Sequence, residues 1–129
     1  MKTILVDAVL TFVDEGGHIF ADMQSLLDAL PNRKIILTGA DDEQFQRFGL
    51  DRMPYEVFTL KHSPEKSDPA YYRQLLEHFN LSADDVVYFE HDPDAVSSAA
   101  SLGIKSYQYD SDTKDLHALA LFLHKALQG

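Results

Sequence analysis

Apolar residues along this chain fall into two kinds of run. Short unbroken stretches, Ile4-Leu5-Val6, Ile35-Ile36-Leu37 and Val86-Val87-Tyr88-Phe89, predict strands buried on both faces, as the middle of a parallel sheet requires. The first of them, from Lys2 to Asp7, runs straight on into Ala8-Val9-Leu10-Thr11-Phe12. Between these stretches apolar positions recur at helical spacing. Met23, Leu26, Leu27 and Leu30 make one such face, with Asp22 as a good N-cap type and Pro31 as the stop. Phe45 and Phe48 share a face of a short helix from Asp41 that ends at Gly49. Tyr72, Leu75, Leu76 and Phe79 form another, and Val96, Ala99, Ala100 and Leu102 lead to Gly103. A last helix from about Thr113 aligns Leu116, Leu119, Ala120, Leu123 and Leu127. Glu56 to Leu60 reads as a further strand, and Ile104 to Tyr109 alternates as an outer strand does. Asp14-Glu15-Gly16-Gly17-His18 is a turn within a short hairpin or flap, and residues 61–69 form a polar loop with two prolines.

Five strands alternating with helices predict an α/β fold: a three-layer α/β/α sandwich around a five-stranded, Rossmann-like parallel sheet with right-handed crossovers. The 129 residues fit one domain, 1–129, around a single core. Open sheets of this kind keep their sites beyond the carboxyl ends of the strands. The loops after the first, second and fourth strands share that end, so Asp7, Thr38, Lys66 and the cluster Glu90-His91-Asp92-Pro93-Asp94 are expected to converge.

Composition narrows the chemistry. Eleven lysines and arginines against 21 acids give a net charge of −10, a field that repels nucleic-acid backbones and anionic membrane surfaces. Without cysteine, disulfides, thiol nucleophiles and thiolate metal sites are excluded, and any catalysis uses oxygen or nitrogen groups. No apolar run reaches membrane-spanning length and no leader pattern precedes the first strand, so the expectation is a soluble cytoplasmic protein. Oligomeric state leaves no mark on the sequence.

Four segments, in order, carry a resemblance. They are Val6-Asp7, Leu37-Thr38-Gly39, Glu65-Lys66-Ser67-Asp68-Pro69-Ala70-Tyr71-Tyr72, and Tyr88-Phe89-Glu90-His91-Asp92-Pro93-Asp94-Ala95-Val96 followed by Ala99-Ala100-Ser101-Leu102-Gly103-Ile104. Together they resemble the haloacid dehalogenase-like (HAD) superfamily over nearly the whole chain, with a nucleotidase-like flavour at Phe89-Glu90. The resemblance implies that Asp7 is the carboxylate nucleophile toward a phosphoryl group. It implies that Thr38, Gly39 and Lys66 bind the phosphate, with Thr38 and Lys66 catalytic beside Asp7. It also implies a magnesium site at Asp7, the Val9 carbonyl and the acidic cluster Glu90, His91 and Asp92.

Two positions depart from that pattern. Val9 stands where the family's acid/base aspartate belongs, and loss of such a group typically lowers rate by about 100- to 10,000-fold. His91 stands where the metal-binding aspartate belongs and offers a nitrogen poorly matched to magnesium. A non-acidic second position also occurs in dehalogenases, and Asp7-Ala8-Val9-Leu10-Thr11 is superficially similar to their Asp-Ala-Tyr-Gly-Thr. Those enzymes cover their substrate with an inserted cap domain, for which the intervals here are too short.

The expectation is therefore a HAD-like, phosphatase-related protein without a cap, with impaired catalysis and a phosphorylated small molecule or a protein as partner. The alternative is an active metal-dependent phosphate-ester hydrolase using Asp7 as nucleophile. Magnesium is the cofactor if the metal site works, and none otherwise. A transition-metal site of Asp7, His91 and Asp92 is a third possibility. Against these stand blander readings: Asp92 and Asp94 suit a helix start, Thr38 a turn, and the tyrosines Tyr71, Tyr72, Tyr107 and Tyr109 simple packing. A receiver domain fails on order, because the position after the third strand holds Thr59-Leu60-Lys61.

Overall fold

In the computed structural model, which describes residues 1–128, five strands form one sheet: β1 (Thr3–Asp7), β2 (Lys34–Thr38), β3 (Glu56–Thr59), β4 (Val86–Glu90) and β5 (Lys105–Gln108). Their order is β3-β2-β1-β4-β5 and every pairing is parallel. The chain thus steps outward to β3, returns past β1 and continues to β5. The reversal falls between β1 and β4, the place where such sheets open a crevice at their carboxyl ends. Val6 lies opposite Phe89, so Asp7 and Glu90 leave the sheet side by side.

Helices cover both faces. Ile4, Val6 and Ile36 pack on one side against Met23 and Leu27 of α1 (Ala21–Asp28) and Leu119 and Leu123 of α5 (Leu116–Gln128). Leu5, Ile35 and Leu37 pack on the other against Tyr71, Tyr72 and Leu75 of α3 (Pro69–Phe79) and Ala99 of α4 (Pro93–Ala100). The alternation of β1 side chains between two cores explains why all five of its residues are buried. The short α2 (Asp42–Arg47) lies in the β2–β3 crossover, fixed by a reciprocal cap between Asp41 and Gln44.

The helices that enter the site start at Asp-Pro pairs. Asp68 accepts a hydrogen bond from the Ala70 amide at 2.9 Å and Asp92 from the Asp94 amide at 3.0 Å, each with proline at the first helical position. Two other helix starts differ from the sequence expectation. Helix α1 begins at Ala21 with Phe20 as a cap lacking a side-chain bond, leaving Asp22 inside the first turn, where its charge suits the dipole. Helix α5 begins at Leu116 because Asp110 draws the Asp112 and Thr113 amides onto its carboxylate at 2.9 and 3.2 Å, forming a turn instead.

Residues 8–20 form the flap. Val13 bridges Val9 on one side and Ile19 on the other. At its tip Gly17 has φ 82° and passes close to the Phe48 carbonyl, where a Cβ would come within 3.0 Å. No described helix is long and apolar enough to cross a membrane.

Candidate active site

At the carboxyl end of β1, Asp7 is buried and both of its oxygens are engaged. Oδ1 receives Lys66 Nζ at 2.6 Å, and Oδ2 receives the Thr11 hydroxyl at 2.6 Å and His91 Nδ1 at 2.5 Å. Lys66 is carried by the loop ahead of α3 and is anchored a second time, 2.6 Å from Glu90 Oε1. His91 Nδ1 also lies 3.2 Å from Glu90 Oε2. Two carboxylates and two cations therefore form a closed ring of ion pairs. Tyr88, two residues earlier on the same face of β4, donates its hydroxyl to Glu90 Oε1.

Electrostatics follow from that ring. Burial alone would raise the pKa of Asp7, yet the adjacent Lys66 charge and the His91 hydrogen bond hold its carboxyl well below the usual range. For Lys66, burial works against the charge, but Asp7 and then Glu90 keep the ammonium above its ordinary pKa. Hydrogen bonds to Asp7 and then Glu90 push His91 up to about 10, against its partial burial. Imidazolium is thus the form at neutral pH. Burial, then the neighbouring Glu90 carboxylate, keeps the Tyr88 hydroxyl protonated and so a donor.

A cleft of about 250 Å³ opens over this ring, lined by Asp7, Val9, Thr38, Gly39, Lys66 and His91, with His62 and Glu65 among its other walls. All the residues expected to bind phosphate, Thr38, Gly39 and Lys66, border it. The Thr38 hydroxyl accepts from the Ala40 amide at 3.1 Å, and its carbonyl receives the Tyr71 hydroxyl at 2.8 Å, so the turn after β2 is held rigidly beside Asp7. Val9 borders the cleft with an aliphatic side chain and supplies no proton.

The candidate metal ligands separate. Asp7, Glu90 and His91 bring ligand atoms within 4.8 Å of one another, whereas the Asp92 carboxylate caps α4 and leaves its amide to Glu90 Oε2 at 3.1 Å. The trio assembled is therefore not the Asp7, His91 and Asp92 set. Magnesium asks for near-octahedral oxygen ligands. Here one of three candidate atoms is a ring nitrogen, and the carboxylate oxygens beside it already accept from Lys66, Thr11 and His91. The side chains thus offer two carboxylates and one ring nitrogen, a poorer match to magnesium than an all-oxygen set.

Thr11 and Tyr88 were absent from the sequence-derived site. Thr11 had a local signal: after Asp7 the backbone coils, with the Phe12 amide bonding the Asp7 and Ala8 carbonyls at 3.2 and 2.9 Å, which brings a residue four places on back over Asp7. Tyr88 had only its alternation with Glu90 on one strand, since i and i+2 share a face.

A scan against protein-family models and a search of the curated proteins found no match. Solved structures do match. A HAD family enzyme from Bacteroides thetaiotaomicron, an aspartate-to-alanine mutant in complex with magnesium and inorganic phosphate, superposes with TM-score 0.74 at 10% identity, covering 92% of this chain and 98% of that one. This is a haloacid dehalogenase-like fold. The magnesium complex of the same enzyme gives TM-score 0.70 at 12% identity, over 92% of this chain and 98% of that one. A HAD-superfamily hydrolase, subfamily IA, from Geobacter sulfurreducens gives 0.66 at 13% identity, over 84% of this chain and 87% of that one. Likeness at such low identity shows the fold, while the chemistry rests on the side chains described above.

Proposed function

We propose that this chain is a HAD-fold protein that binds a phosphorylated ligand without hydrolysing it by attack from Asp7. The observation that carries this reading is the 2.5 Å contact between His91 Nδ1 and Asp7 Oδ2. A carboxylate attacks phosphorus through a free oxygen lone pair. Asp7 instead gives its oxygens to an ammonium, a hydroxyl and an imidazolium, each of which lowers its nucleophilicity. Val9 adds the second deficit, because no proton can be delivered from that position to a leaving oxygen.

What persists is an anion-binding frame. Lys66, the turn Thr38-Gly39 and the imidazolium of His91 face one cleft, and charged hydrogen-bond donors of this kind recognise phosphoryl oxygens. Lys66 and His91 are balanced within their ring by Asp7 and Glu90, two formal positive charges against two negative, so the ring as a whole adds no net attraction for a dianion. Binding of a bare phosphoryl group is accordingly weak, on the order of 1 mM.

The test is hydrolysis and binding of phenyl phosphate, with magnesium, with manganese and with chelator. The expected result is weak, metal-independent binding with no turnover. Turnover by the wild type that disappears in Asp7→Asn would establish the active-hydrolase alternative. Absence of binding under every condition would remove the phosphoryl-ligand reading.

A further inference from the structure

The last strand and the last helix share an uncovered face, away from the cleft over Asp7. Strand β5 pairs with β4 on one side, and among the described residues no strand covers its other side. The Tyr109 amide just beyond it donates to the Glu90 carbonyl at 2.8 Å, so odd-numbered residues turn their backbone groups inward. Ser106 and Gln108 therefore turn theirs outward. Beside this edge Phe122 of α5 stacks on Tyr107, ring centroids 5.1 Å apart. Lys105, Ser106, Phe122, Lys125 and Ala126 line a groove of about 290 Å³ there.

Asp115, Ala118, Phe122 and Lys125 recur at intervals of three and four, which makes them one row along α5 on the side of that groove. Ala118 and Phe122 are half-buried, Lys125 is exposed, and Leu121 beside the row is 59% exposed. Asp115 heads the row, its Oδ1 accepting from the Ala118 amide at 3.0 Å. It lies near β5, because burial and then the Asp115 and Asp110 charges raise the pKa of Tyr107. The other titratable side chains of α5, His117 and His124, are exposed and stand outside the row.

The row complements itself when reversed. Laid antiparallel about Ala120, it sets Ala118 against Phe122 and Asp115 against Lys125, each twice, small against large and negative against positive. Around Tyr107 the lysines 105 and 125 offset the aspartates 110 and 115, so in a chain of net charge −10 two copies meet here without a local excess of negative charge.

The strand edge shares that centre. Long side chains lean toward the start of their helix, so the Phe122 ring over Tyr107 brings the level of Ala120 to within about one residue of Tyr107. Antiparallel pairing centred on Tyr107 sets Ser106 against Gln108 of the second copy, and Gln108 against Ser106, where outward N–H and C=O groups exchange hydrogen bonds. Helix α5 rests on β4 and β5 alike. Its axis then lies about 5 Å from the two-fold and the two α5 helices about 10 Å apart, the separation of packed helices.

We infer that two copies of this chain associate about a two-fold axis normal to the sheet, β5 pairing antiparallel with β5 in one continuous sheet and α5 packing on α5 through Ala118, Phe122 and the Asp115–Lys125 pairs. The interface is isologous, so it closes at two copies. Helix α5 has 13 residues and is about 20 Å long. Seam and strand edge together bury on the order of 1,000 Å², near the lower limit of stable interfaces, so the dimer forms in the micromolar range.

Sedimentation equilibrium of the full chain tests the inference. The wild type should rise from the 14.6 kDa of one chain toward twice that mass as concentration approaches about 0.5 mM. Lys125→Glu and Asp115→Lys each place like charges opposite one another twice, and each alone should dimerise at least tenfold more weakly. An equimolar mixture of the two should regain the wild-type affinity, because both pairs are then attractive. Rescue on mixing is the decisive reading, since a helix weakened by loss of the Asp115 cap would stay weak in the mixture. Hydrogen exchange reads the strand: the Ser106 and Gln108 amides should exchange at least tenfold more slowly in the wild-type dimer than in Lys125→Glu. A wild type that stays monomeric overturns the inference and leaves the face to another partner. A dimer that persists in Lys125→Glu, a mixture that stays monomeric, or equal exchange at Ser106 and Gln108 overturns it as well.

Discussion

Lys66 Nζ lies 2.6 Å from Glu90 Oε1, with the lysine side chain 16% exposed and the glutamate side chain fully buried. Removing one member of a buried pair leaves the other charged and unsolvated, typically at a cost of about 3–5 kcal/mol. Glu90→Ala and Lys66→Met should each lose that much stability in urea unfolding. The double variant should lose clearly less than the two single losses combined, because no charge is stranded in it. Additive losses would show that the pair is not coupled.

Tyr88 donates to Glu90 and lies 3.2 Å from the Tyr72 hydroxyl, all within the buried layer between β4 and α3. Tyr88→Phe deletes the donor but keeps the ring, so stability should fall by about 1–3 kcal/mol with packing intact. Urea unfolding gives the size of the loss, and an unchanged near-ultraviolet spectrum outside the lost tyrosine would show that the ring still fits.

His91 predicts a dependence on alkaline pH. Its folded pKa, about 10, exceeds the ordinary 6.5, so its contribution to stability is full below about 6.5 and is lost as pH rises through about 10. Unfolding free energy of the wild type should therefore decline between pH 7 and 10 more steeply than that of His91→Gln. Asp7 has the opposite sign: its folded pKa is lowered, so its contribution is present above the ordinary 3.8 and fades as acid is added. Nuclear magnetic resonance of the ring provides a direct check, since the His91 imidazole should still be doubly protonated at pH 8.

Catalysis offers a gain-of-function prediction. Val9→Asp supplies an acid/base but leaves Asp7 bound to the imidazolium, and His91→Asp frees Asp7 and adds an oxygen ligand without restoring the proton donor. Each single variant should remain silent. Together they should hydrolyse phenyl phosphate in the presence of magnesium at a rate measurable above the uncatalysed background, where the wild type and both single variants show none, since a general acid/base contributes roughly 100- to 10,000-fold. A folded but inactive double variant would mean that the site lacks more than these two groups.

Strands β1, β2 and β4 were legible because they carry unbroken apolar runs, and α3 and α4 because Tyr72, Leu75, Leu76 and Phe79, and Val96, Ala99 and Ala100, recur at helical spacing. Those signals are local. The start of α1 was not, since a good capping residue at Asp22 competes with packing that begins the helix at Ala21. Similarly, the approach of Asp7, Lys66 and Glu90 follows from strand order, whereas the rotation of His91 onto Asp7 depends on which neighbour best satisfies a buried carboxylate. Spacing along the chain carries no such information. The Tyr109 hydroxyl, buried without a hydrogen-bond partner among the described residues, is of the same kind: the residue reads as a packing tyrosine, and only three-dimensional contacts reveal what its oxygen lacks.

The sheet order has a consequence for how the molecule assembles. On one edge of β1, Ile4 faces Lys34; on the other, Thr3 faces Val86. As the chain emerges during synthesis, β1, β2 and β3 can pair early, but the second edge of β1 stays open until β4 has been made. Over that interval an apolar strand edge is available for unwanted pairing with other copies. The same strand carries Asp7, whose partners Glu90 and His91 arrive with β4 and the loop after it. Closing the sheet and completing the ring of charges are thus one late event, so an intact Asp7–His91 contact doubles as a readout of finished folding.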